Sequence, residues 1–429
     1  MELSLAFVTW PSGHRKLRIS IERNSNLGTQ MNSALKRAAR VFLLPGVWWL
    51  GAGTLLLVCS TGWSFCVADE LILRAEGNGS PKTLTGTILV EAQDKSLLFQ
   101  ADDGRLWILK AEQVDSSSRS DEPVKPLSQR EQQERLEKEL PGFRFHQTDH
   151  FLIAYNTERS YAIWIGGLYE QLYKGFTGYW ERKRKFKLDD PVFPLVIVVF
   201  ASFDEYKVHV KRELGQDPGS MVAYYNLMTN RVTLYDLTTG FQGAGSKPDN
   251  DRRISEILAN PNALPMVATV VHEGTHQLMF NMGMQTRLAD TPLWVNEGLA
   301  MFFETPDLNN PKGWRTIGQI NPLRLLNFRE ALPQRATGGE SLKRLLTSDL
   351  DFRDPNTGLS RYAEAWALNY FLLNKYGKEY VAYLERLRTK QPLVADTAET
   401  KLADFQAVFK IDWEEFDREF LEYIAKLRD

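Results

Sequence analysis

The chain has 429 residues, with 52 Lys and Arg against 54 Asp and Glu, 43% hydrophobic and 25% charged residues, 6 His and 2 Cys. Those values exclude collagen-like, wholly disordered and disulfide-framework proteins, and the length allows two or three structural units. With no basic excess to neutralise phosphates, composition offers no support for a nucleic-acid partner, and none is expected.

The average hides an uneven start. A basic stretch from Met31 to Arg40 precedes the apolar run Val41 to Val58, and Cys66-Val67-Ala68 follows with residues that a signal peptidase reads. Charged, apolar and small in that order predict residues 1–68 as a signal peptide, with Met31 a candidate for the true start. The alternative is an uncut membrane anchor, because the run approaches the ~20 residues of a spanning helix. Pro45, Gly46, Gly51 and Gly53 interrupt such a span. The expected location is therefore exported, whether periplasmic, cell-envelope or extracellular, with any membrane link confined to this segment. Seven of the 52 basic and two of the 54 acidic residues lie in 1–68, which leaves a mildly acidic 45 against 52 beyond it. Cys59 and Cys66 lie there too, so the mature chain would carry no thiol for nucleophilic, redox or metal chemistry.

The next elements are short strands, Thr85 to Val90, Ser96 to Gln100 and Arg105 to Leu109, with an Asp102-Asp103-Gly104 turn. They predict a small β unit over 69–115. A polar linker, Asp115 to Pro123, and a charged helix, Ser128 to Leu140, fill 116–141, and a tether or docking module is the default reading of these two stretches. From 142 to 429 the pattern changes. A strand at His150 to Tyr155 and a helix at Arg159 to Trp180 are followed by the wholly apolar run Val192 to Phe200, which fits a strand buried on both faces. Strands at Met221 to Tyr225 and Arg231 to Leu237 flank a turn. Gly240 to Lys247 resembles a phosphate loop only in its glycines; its Ser-Lys order points to a flexible loop. Helical periodicity then dominates at Pro265 to Met282, Pro292 to Glu304, Arg361 to Tyr376, Lys378 to Thr389 and Trp413 to Leu427. Strands first and helices afterwards predict an α+β fold.

The Pro265 helix contains His272-Glu273-Gly274-Thr275-His276. Residues four apart share a helix face, so His272 and His276 can present two imidazoles to one ion. Zinc binds His nitrogens and prefers four ligands, so a third protein ligand plus a water are required. Glu273 is one step round the helix, placed to touch that water as general base. With 6 His in 429 residues, this spacing arises by chance in on the order of one chain in a hundred. Downstream, Thr291 reads as an N-cap and Pro292 as a first helical residue, before Glu297 in an otherwise apolar helix. A carboxylate among Leu293, Trp294, Val295, Leu299 and Phe302 calls for a cation, which makes Glu297 the expected third ligand.

His272-Glu273-Gly274-Thr275-His276 followed by Trp294-Val295-Asn296-Glu297-Gly298-Leu299-Ala300 resembles the gluzincin metallopeptidases. More narrowly it is similar to the peptidase-MA-like group and to an uncharacterised family of exported bacterial proteins. The resemblance implies a zincin-like catalytic domain over 142–429, one Zn2+ per chain on His272, His276 and Glu297, and acid/base duty for Glu273. It also implies hydrolysis of a peptide or protein substrate, an oxyanion donor opening a later helix, and a cleft-edge strand before the metal helix. Tyr362 fits the donor, with Arg361 as second choice, and Met221 to Tyr225 fits the edge. One departure is visible. Met301 stands where thermolysin-like members keep an Asp that orients a zinc-bound His, so Asn296 or Glu304 would have to serve. His146, His150 and His209 read as structural. The alternatives to a zinc peptidase are a catalytically inactive zinc-binding scaffold and a cell-envelope interaction protein dominated by the β unit and the charged helix.

Overall fold

A computed structural model describes residues 67–75, 81–240, 251–258, 260–305 and 316–428. The signal or anchor assigned to the N-terminus, up to residue 66, and the glycine-rich loop at 241–247 lie outside these. Among the described residues no helix is long and apolar enough to cross a membrane.

The N-terminal unit is an antiparallel sheet of β1 (Val67–Leu73), β2 (Lys82–Glu91), β3 (Leu97–Ala101), β4 (Leu106–Leu109) and β5 (Val114–Pro123), in the order β4-β3-β2-β1-β5. Leu71, Leu84, Leu97, Phe99, Ala101 and Leu109 form its core. Two boundaries differ from expectation. β1 begins at Val67, inside the segment read as signal, and the polar stretch read as a linker is the edge strand β5. β5 is exposed almost throughout, so no apolar alternation betrays it; backbone pairing with β1, such as Leu71 opposite Ser117, holds it in place. The charged helix is found as α1 (Gln129–Glu139), capped by Ser128, whose hydroxyl accepts from the Glu131 amide.

The larger sheet has the order β6-β7-β8-β10-β9, from β6 (Arg144–Gln147), β7 (Phe151–Tyr155), β8 (Leu195–Phe200), β9 (Ala223–Asn226) and β10 (Arg231–Tyr235). β7, β8 and β10 run parallel, while β6 and β9 are antiparallel edges. Parallel neighbours need crossovers, so α2 (Arg159–Thr177) and α3 (Phe203–Leu214) sit between strands rather than after them. The fold is α+β, as expected, with helices on both faces of this sheet. Alternation along the strands sorts the side chains: Ile153, Ile197 and Val232 face the main core, while Leu152, Val196 and Tyr224 face α1 and α3.

Helices follow: α4 (Asp251–Leu258), α5 (Leu264–Asn281), α6 (Leu293–Phe303), α7 (Pro322–Ala331), α8 (Glu340–Thr347), α9 (Gly358–Lys375), α10 (Gly377–Leu387), α11 (Ala398–Phe409) and α12 (Trp413–Ala425). α5, α6, α9, α10 and α12 match the periodic segments to within a few residues; α3, α4, α7, α8, α11 and β6 were not anticipated. α5 is tied to the sheet by Gln277, whose Nε2 donates to the carbonyls of Val196 and Asn230 at 3.0 and 3.1 Å.

Candidate metal centre

α5 brings His272 and His276 to one side, with their Nε2 atoms 3.0 Å apart. α6 crosses α5 and places Glu297 against both: Oε2 lies 3.2 Å from His272 Nε2, and Oε1 lies 3.7 Å from His276 Nε2. Two glycines let α5 and α6 pack closely against α2 and α9. A Cβ on Gly274 would lie 2.7 Å from the Tyr169 ring on α2. A Cβ on Gly298 would lie 2.7 Å from the Ala365 carbonyl and collide with the Asn369 amide on α9.

The donors fit an ion. Ligand atoms of a tetrahedral site with bonds of about 2.0–2.1 Å lie roughly 3.3 Å apart; the two ring nitrogens are 3.0 Å apart, and the nearest approaches of Glu297, through different oxygens, are 3.2 and 3.7 Å. Two ring nitrogens at 3.0 Å cannot both present bare lone pairs, so either a proton on one of them or a metal ion sits between them. The group His272, His276 and Glu297 could therefore hold a metal ion. His272 and Glu297 are buried, and the His276 side chain is 11% exposed.

Behind His272, Nδ1 lies 2.8 Å from Glu304 Oε1. Glu304 is held in turn by Arg324, at 2.9 Å to Oε1 and 3.2 Å to Oε2, and by Asn321 Nδ2 at 3.1 Å. Of the two residues weighed for this role, the structure uses Glu304; Asn296 Oδ1 is buried without a hydrogen-bond partner among the described residues. Because a carboxylate only accepts, Nδ1 carries the proton, and Nε2 is the nitrogen that would face an ion. Burial alone would lower the His272 pKa, but the hydrogen bonds and charges of Glu297 and Glu304 outweigh it and raise it to about 10. Burial lowers His276 to about 4, against the pull of Glu297. The opposite shifts are one statement: one positive charge, on His272, is favoured over two, and a cation can take its place. Glu304 would be raised by burial, yet Arg324 and His272 hold it down to about 2.

Glu273 Oε2 accepts from the Tyr225 amide of β9 at 2.8 Å. Burial, reinforced by Glu297 and opposed by His272, pushes its carboxyl up to about 7. Tyr362, near the start of α9, is buried, and its hydroxyl has no hydrogen-bond partner among the described residues. Burial and the charges of Glu297 and Glu273, opposed by Arg324, raise its pKa well above the phenol range. The hydroxyl thus lies within the field of both carboxylates. Arg361 is committed elsewhere, 2.5 Å from Glu364 Oε2 and 3.1 Å from Ser341 Oγ. His150 pairs with Glu170 at 2.8 Å and stacks on Tyr173, and His209 lies 3.4 Å from Glu213, so both are spent on packing.

Sequence reading missed Arg324 and Asn321. Asn321-Pro322 is a helix-start signal, and the Asn321 side chain does cap α7, accepting from the Arg324 amide at 3.2 Å. It also misplaced a cap: Pro292, not Thr291, occupies the N-cap of α6, and the Leu293 amide donates instead to Asp349 Oδ1 at 3.0 Å.

Residues 266–394 match a family model described as "Protein of unknown function (DUF1570)", which spans both motif helices and α9. No curated protein matches the chain.

Proposed function

We propose that the chain is an exported zinc-dependent metallohydrolase of the gluzincin type, with a zincin-like domain and with peptide bonds as its substrate. The observation that carries this reading is the convergence of the His272, His276 and Glu297 donor atoms beside a buried, raised-pKa Glu273. Zinc held by these donors would polarise a carbonyl and make a water acidic at neutral pH.

The chain's own residues supply the rest. Tyr225 holds Glu273 Oε2, which leaves Oε1 to take a proton from the attacking water and return it to the leaving amine. A carboxyl poised at about 7 suits both halves of that transfer. The partnerless Tyr362 hydroxyl is the donor available to a developing oxyanion. β9, which has no strand paired on its outer side among the described residues, is the natural bed for an extended peptide. Export rests on the charged, apolar and small order of residues 31–68.

The purified chain should carry about one zinc, and His272→Ala or Glu297→Ala should lose it. Glu273→Gln should keep the zinc and lose hydrolysis of a peptide library. Tyr362→Phe should keep zinc and lose ~10²–10³ in kcat. Full zinc retention in both ligand variants would remove the site, and unchanged turnover in Glu273→Gln would remove the base.

A further inference from the structure

The turn between β3 and β4 is fastened to the larger sheet at several points. The Leu106 amide donates to the Met228 carbonyl at 2.7 Å. The buried Arg287 guanidinium spans the junction, donating to Gly104 O at 2.7 Å and to Leu227 O at 3.0 Å. On α1, Arg135 donates to Asp102 at 2.8 Å and lies 3.1 Å from Asp103. Glu139, on the same helix, bonds Arg105 of the turn and accepts from Arg231 of β10 at 2.7 and 2.9 Å.

Leu227 and Met228 belong to the turn that joins β9 to β10, and Asn226 Oδ1 closes that turn by accepting from the Met228 amide at 2.8 Å. Two residues before Leu227 is Tyr225, whose amide holds Glu273. A tether tolerates many orientations and needs no buried cation. Burying a guanidinium is costly unless its donors are met, so this junction is built to keep one geometry. An edge strand paired on one side only is also where a sheet yields first.

We infer that the N-terminal β unit is a brace for Glu273: by holding the Leu227 and Met228 carbonyls it sets the position of the Tyr225 amide, with Arg287 as the central positioning residue. The functional meaning rests on the role proposed for Glu273; the mechanical coupling does not. β5 and the distal strands carry no part of this, since the contacts gather at the β3–β4 turn.

Amide exchange on the full chain, with bound metal measured in parallel, tests the coupling. Arg287→Met should speed exchange at Tyr225 by about tenfold, the equivalent of one net hydrogen bond. Amides within α5 and α6, and the metal content, should not change. Arg287→Lys should recover part of the protection. Arg135→Gln, on the exposed side of the junction, should act in the same direction more weakly, and it decides the matter if Arg287→Met speeds exchange everywhere. Faster exchange at Leu106 with unchanged Tyr225 protection would show a loosened β unit that leaves the strand alone, and would overturn the brace. On a hydrolysed substrate the brace further requires a lower kcat at unchanged KM in Arg287→Met. If Glu273→Gln leaves hydrolysis intact, the base assignment falls while the exchange result still decides the brace.

Discussion

Glu304 stands seven residues beyond Glu297, and the two carboxylates grip opposite nitrogens of the same imidazole. One faces the ion position and the other fixes the tautomer, so their substitutions should differ in kind. Glu304→Gln should leave metal bound but weaken it by roughly 10–100-fold, measured by chelator competition. Arg324→Met should be worse for the fold than for the metal, since Glu304 would then be buried without its cation at a cost of about 3–5 kcal/mol, read as a lower denaturant midpoint. For the proposed hydrolysis, the pH profile follows from Glu273 as base. Its pKa is raised to about 7, and only the ionised form accepts a proton, so base catalysis is lost as pH falls through that value. A bound cation draws the pKa down, which places the acidic limb of kcat/KM at or below about 7. That limb should vanish in any residual activity of Glu273→Gln.

Helix α6 needs more than its own sequence to start where it does. Its first amide is capped by Asp349, 56 residues away in sequence, and Lys401 of α11 lies 3.7 Å from that carboxylate. Helix α12 has a local cap instead, the Asp412 side chain accepting from the Glu415 amide at 2.9 Å. Removing either cap should cost ~1 kcal/mol of stability. Only Asp349→Ala should also weaken metal binding, because of these two helices only α6 carries a residue of the metal centre; equal metal affinity in Asp349→Ala and Asp412→Ala would show that the cap does not position Glu297. The deep partner of the same helix is Asn369, whose Nδ2 donates to the Trp294 carbonyl at 2.8 Å. The α9 helix that would deliver Tyr362 thus also sets the seat of Glu297.

Across the whole molecule, the two sheets are joined by charge as well as by backbone. Burial would raise Glu139, but Arg231 and Arg105 hold it down to about 2. A folded pKa below the unfolded one contributes stability that is complete above the ordinary carboxylate range and is lost as pH falls through about 2. The junction should therefore loosen in acid: protection of the Leu106 amide, taken relative to its intrinsic exchange rate at each pH, should fall between about pH 5 and pH 2, and Glu139→Gln should be loose already at neutral pH and respond less. The sequence alone determined the chemistry-bearing face, because helical spacing is local: His272 and His276 share a face wherever α5 packs, and Glu297 in an apolar helix demands a cation there. It also determined most strands and the long helices, whose burial patterns repeat within a few residues. It could not show β5, which is held only by backbone pairing, or short helices such as α7 and α8. Only the tertiary structure chose Glu304 over Asn296, supplied Asp349 as the cap, and set the Tyr225 amide on Glu273. Those contacts join residues 32, 56 and 48 positions apart, and no local periodicity reports which distant segments packing will bring together.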